Sequence, residues 1–121
     1  KLQGVVKDMQ VVWLTINSSA AGKQGNMDGA KADAYIASSK SAQSYYLLDA
    51  DGTVGKLYEA KTTPHMFVIN PEGNIAYMGA IDDKPSADKA DIAGAKNYVY
   101  AAIMSIAQKK PVETSTTQPY G

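Results

Sequence analysis

The chain carries one histidine, His65, in the run Lys61-Thr62-Thr63-Pro64-His65-Met66-Phe67-Val68-Ile69-Asn70-Pro71-Glu72-Gly73, and no cysteine. Imidazole is the side chain that titrates near neutrality without help from its surroundings, so His65 is the first candidate for acid-base chemistry. A serine hydrolase built on it requires a hydroxyl nucleophile and an acid gathered around the ring. Ser18 and Ser19, in Asn17-Ser18-Ser19, could supply the hydroxyl, yet no G-x-S-x-G elbow presents either one. The lack of cysteine excludes disulfides, thiolate metal ligands and a cysteine nucleophile within this chain. A histidine-based metal site fails as well, for want of a second histidine. The residues imply no metal and no cofactor.

Other clusters read more simply. Asp49-Ala50-Asp51-Gly52 resembles the opening of a calcium loop. Such a loop ends on a glutamate at its twelfth position, where this chain has Ala60. Asp51 as a helix cap is the better reading. Asp82 and Asp83, beside Lys84 and Pro85, form a solvated turn with weak cation-binding capacity. Adjacent loop residues do not hold the separation that a glycosidase pair needs. Gly22-Lys23-Gln24-Gly25 departs from the phosphate-loop pattern. Oxidation of Met66 or Met78 would be damage rather than catalysis. Trp13 and the eight tyrosines are scattered, which suits a core and its margin rather than a stacking platform for bases.

At 121 residues the chain suits one domain with a real core, here 1–110, followed by a polar tail, 111–121. Apolar residues make up 45% and charged residues 20%, the proportions of a soluble globular protein. Twelve basic and twelve acidic residues cancel, so no basic surplus recruits a nucleic acid. The apolar runs are too short for a membrane span, and no leader pattern opens the chain. A start at Lys1 rather than Met suggests a processed or trimmed product. Lack of cysteine fits the cytoplasm and an exported protein alike.

These residues need elements to position them. Residues 1–9 read as the end of a helix. Residues 11–16 are apolar on both alternating faces, the pattern of an interior strand covered on both sides. Residues 28–39 form a helix capped by Asp28, with Ala32, Tyr35 and Ile36 inward. Residues 44–48 give a short strand. Asp51 then caps a second short helix whose Val54, Leu57 and Tyr58 face inward. The run His65–Asn70 is a strand, Pro71-Glu72-Gly73-Asn74 a tight turn, and residues 75–81 the returning strand. Ile92, Ala95, Val99, Ala102, Ile103 and Ile106 recur at helical spacing over 88–109, with Lys109 and Lys110 at the negative end and Pro111 as the stop. The tail reads as poorly ordered. Alternating helices and strands with one hairpin predict an α/β sandwich with a mixed sheet and helices on both faces.

This order, with Thr63-Pro64 before an apolar hairpin and a closing helix, resembles the thioredoxin-like fold. The runs Val11–Gly25 ("VVWLTINSSAAGKQG") and Asp49–Ser86 ("DADGTVGKLYEAKTTPHMFVINPEGNIAYMGAIDDKPS") are similar to the redoxin family, the peroxiredoxin-like relatives of alkyl hydroperoxide reductase C, over Val11 to Lys110. The resemblance implies an oxidoreductase or thiol peroxidase ancestry. It makes Thr63-Pro64 a cis-proline loop that faces the reactive thiol and receives an extended substrate at the Thr63 backbone. The family's cysteine and the strand before it lie upstream of the segment matching Val11, so the domain reads as N-terminally truncated. Without a thiol this chain cannot perform the family's chemistry itself. The missing strand runs mid-sheet, between those matching 11–16 and 66–70, so two rows of backbone groups would lose their partners. Either those strands close up, or a protein or peptide partner, or a second copy of the chain, completes the sheet. The alternatives to a disabled redoxin are a non-enzymatic binding or assembly module on the same scaffold and, more weakly, a hydrolase using Ser18, Ser19 or His65.

Overall fold

A computed structural model describes residues 3, 9–20, 22, 23, 25–39, 43, 45–85 and 88–120. The expected helix over 1–9 falls mostly outside the described residues. The chain forms two compact units, Lys1–Ala60 and Lys61–Gly121. Both are α/β, and each contains one two-stranded sheet.

In the first unit, β1 (Leu14–Asn17) pairs in parallel with β2 (Tyr45–Leu48), with Leu14 opposite Tyr45 and Ile16 opposite Leu47. The crossover is α1 (Gly29–Ser39). Its start is set by Asp28, whose Oδ1 accepts the Lys31 N–H at 2.8 Å, satisfying one of the donors a helix leaves unpaired at its N-terminus. Ala32 is buried and Ile36 half-buried, as their spacing predicts. Tyr35 is instead exposed, with its ring tilted toward Tyr46 at 6.2 Å. A five-residue helix, α2 (Thr53–Leu57), closes the unit with Leu57 turned to solvent. This corrects the inward placement of Leu57, because a helix of barely one turn has no second turn to bury it.

The second unit is built on a hairpin. Antiparallel strands β3 (Met66–Ile69) and β4 (Ile75–Gly79) are joined by a turn through Gly73, at φ 86°. That left-handed conformation favours glycine. Asn70 fastens the turn through the Asn74 amide. The predicted helix over 88–109 is two elements, a 3-10 turn at Lys89–Ile92 and α3 (Tyr98–Ala107). The reason is local. The Asp88 side chain caps one start and the Asn97 side chain the other, accepting from Tyr100 N–H, with Gly94 between them. α3 packs on both strands. Val99, Ala102 and Ile103 are the buried residues of α3, and the hairpin it packs on contributes Val68 and the fully buried Tyr77, a directly opposed pair. Full burial of a valine or isoleucine side chain contributes about 1.5–3 kcal/mol, and of an alanine methyl less.

Two expectations change. In place of one mixed sheet, the described residues form two two-stranded sheets, a parallel one in the first unit and an antiparallel one in the second. The segment after Pro111 is not loose. Met78 N–H donates to Ser115 C=O at 3.0 Å and Thr117 N–H to Met78 C=O at 3.1 Å, which lays residues 115–117 parallel to β4 on its outer side.

Candidate functional site

Of the sequence candidates, the 11–16 strand departs furthest from expectation. Its pattern predicts cover on both faces, yet Val12 is 64%, Leu14 50% and Ile16 39% exposed, next to Tyr45 and Leu47 on the same face of β2. The phase of the ladder fixes which backbone groups are used. Trp13 C=O accepts from Tyr45 N–H at 3.2 Å and Asn17 C=O from Asp49 N–H at 2.7 Å. Trp13, Thr15 and Asn17 therefore turn their backbone toward β2. Leu14 and Ile16 turn theirs to the opposite edge, where they meet no backbone partner among the described residues. An apolar face and an open edge thus belong to the same residues. The segment 11–16 has no charge and no proline, two of the devices that keep an edge from pairing.

Ser18 lies at the end of β1 and donates from Oγ to Asp49 Oδ2 at 2.6 Å. Asp49 is buried and also accepts from Val54 N–H at 3.1 Å and Gly55 N–H at 2.9 Å. The Ser18 hydroxyl and these amides hold its carboxyl below the ordinary carboxylate range. Asp49 is thus the group that satisfies the α2 amides of Val54 and Gly55, while Asp51 accepts from the Thr53 amide and hydroxyl, correcting the expected cap. Ser18 donates to a carboxylate whose other partners are backbone amides, which makes the pair a structural joint at the end of β1. Ser19 accepts at its C=O from Asn26 and donates its amide to Asn17, which also has no catalytic reading.

In the second unit the Thr63–Pro64 bond is cis, as the resemblance implies, and both residues are exposed. Thr62 Oγ1 donates to Pro64 C=O at 2.7 Å. His65 is anchored: its Nδ1 accepts the Lys61 N–H at 3.1 Å and its ring stacks on Phe67 at 4.5 Å. That contact places the neutral ring's proton on Nε2. Burial, assisted by the Lys61 charge, pushes its pKa below the ordinary 6.5. The fold uses His65 as an acceptor that closes its own loop. Among the described residues its hydrogen bond is to the Lys61 amide rather than to a serine or carboxylate, and no group of three or more metal-ligating side chains occurs among them.

Sequence reasoning missed the busiest polar cluster. Thr117 Oγ1 accepts the Ala80 N–H at 2.9 Å and lies 2.6 Å from the Tyr77 hydroxyl, which itself donates to Ala80 C=O at 2.5 Å. The Tyr120 hydroxyl donates to Asp82. Burial, then this bond and the negative charges of Asp82 and Asp83, push the Tyr120 phenol up to about 12. Gly79 was the one available signal. It sits in β4 at φ 143°, and a Cβ there would fall on Thr117, the mark of close backbone approach.

No family model matches the chain, and no curated protein matches it. Among solved structures the chain is similar to the hypothetical protein SMc02350 from Sinorhizobium meliloti 1021, with 24% identity and a TM-score of 0.78. The match covers 98% of this chain and 62% of that one, so the chain spans about three fifths of the length of its solved neighbour, and what the two share is the fold.

Proposed function

We propose that this chain is a redoxin-like domain on a thioredoxin-like scaffold that performs no thiol chemistry itself and serves as an assembly module. Its partner is a second copy that pairs strand to strand at β1. The observation that carries the reading is the coincidence at Leu14 and Ile16 of outward backbone donors and acceptors with exposed apolar side chains. Strand addition draws its affinity from main-chain hydrogen bonds and its specificity from alternate side chains. Two identical uncharged strands meet without repulsion, and the whole chain has a formal net charge of +0. The enzymatic alternatives have less support: this chain has no thiol, the Ser18 hydroxyl donates to Asp49, and His65 Nδ1 accepts the Lys61 amide.

Sedimentation and amide exchange over a range of concentrations test this. The chain should self-associate, with protection at Leu14 and Ile16 rising alongside. Ile16→Pro removes an N–H that the β1–β2 ladder does not use, so it should abolish association while the fold survives. A chain that stays monomeric at high concentration, with both amides exchanging freely, would end the reading. Peroxide turnover with a thiol donor should be nil, and measurable turnover would overturn the non-catalytic part.

A further inference from the structure

We infer that the outer edge of β4 is a peptide-binding site for extended segments carrying Thr-x-x-Tyr, filled in the resting chain by its own residues 115–120. Three independent features argue for a recognition groove rather than a chance contact. The backbone pairing at Met78 is that of an added strand, with one bond given and one received.

The threonine is read by a complete proton circuit. Tyr77 gives its proton to Ala80 C=O, Thr117 gives its own to the Tyr77 oxygen, and Ala80 N–H is accepted by Thr117 Oγ1. A valine of the same shape would leave the Ala80 amide and the Tyr77 oxygen without their partner, a loss that is costly for buried groups. The backbone must also come close, and Gly79 leaves room for it where any Cβ would collide with Thr117.

The tyrosine three residues on is read separately by Asp82. Between the two anchors lies a cavity of about 240 Å³, lined by Asp82, Asp83, Pro85, Tyr98 and Gln118 among others. The groove therefore fixes the first and last positions and leaves space at the middle ones.

An internal segment on a short tether faces its site at an effective concentration in the millimolar range. It excludes a free peptide until its own anchors weaken. The test uses the full chain and a labelled peptide of the sequence Thr114–Tyr120. The Thr117→Val chain should bind this peptide about tenfold more tightly than the unaltered chain, since the internal competitor has lost its anchor. Binding should shift the Met78 and Ala80 amide resonances. A peptide with valine in place of the threonine should not bind. Tyr120→Phe supplies a milder variant, in which the same gain should be smaller. Equal affinity of the peptide for the altered and unaltered chains, equal binding of the valine peptide, or resonance shifts away from β4 would each overturn the inference.

Discussion

Protonating His65 means giving up a hydrogen bond, because the nitrogen that would take the proton already accepts the Lys61 N–H. A protonated Nδ1 is a donor facing a donor, and Lys61 is the charged group acting on the ring. Burial first, and then the Lys61 charge, should make the imidazole titrate below 6.5, with the Lys61 amide shifting at the same midpoint. A proton NMR titration of both resonances checks this, and independent midpoints would contradict the coupling. His65 is also where sequence reading was most and least informative. Its isolation from any thiol or second ligand was legible from composition. Its use as a loop-closing acceptor was not, since nothing in residue order says which amide a ring nitrogen will meet.

At the scale of elements, strands and helices were legible wherever a local rule governed them. Asp28 begins α1 and the turn at Gly73 joins β3 to β4 because capping and left-handed φ are decided within a few residues. Failures came where two local rules competed. The apolar period across 88–109 suggested one helix, but the Asp88 and Asn97 caps divided it. The strap along β4 offers the sharpest test at this scale. Gly79→Ala places a methyl on Thr117 and forces a φ of 143° on a residue that disfavours it. It should release residues 115–120 and lower stability by about 1–3 kcal/mol. The expected signature is fast exchange at the Thr117 amide while the α3 amides remain protected.

For the whole molecule, the perturbed groups define a window of pH. Asp49 and His65 have folded pKa values below their ordinary 3.8 and 6.5. The unfolded chain then binds more protons, and stability falls on acidification, first below 6.5 and again below 3.8. Tyr120 has the opposite sign. Its phenol is raised from 10.0 to about 12, so its contribution is complete below 10 and lost as pH rises toward 12. Denaturant midpoints should form a plateau between about 6.5 and 10. Tyr120→Phe should flatten part of the alkaline limb, the rest belonging to Tyr77, whose phenol burial also raises, and His65→Gln should flatten the first acidic one; limbs unmoved by either change would show that other groups control them.

The α/β element order, the apolar hairpin, the neutral charge balance and the lack of a thiol in this chain are legible in residue order and composition, because propensity, capping and composition act locally or need no geometry. Tertiary structure alone decided that Asp49 serves the α2 amides, that the apolar 11–16 strand turns a face and an edge outward, and that residues 115–117 lie along β4. Each of those outcomes depends on which distant backbone is brought alongside. Thr117 finds Tyr77 across forty positions of sequence, and a short polar segment carries no periodicity that could announce where it will dock.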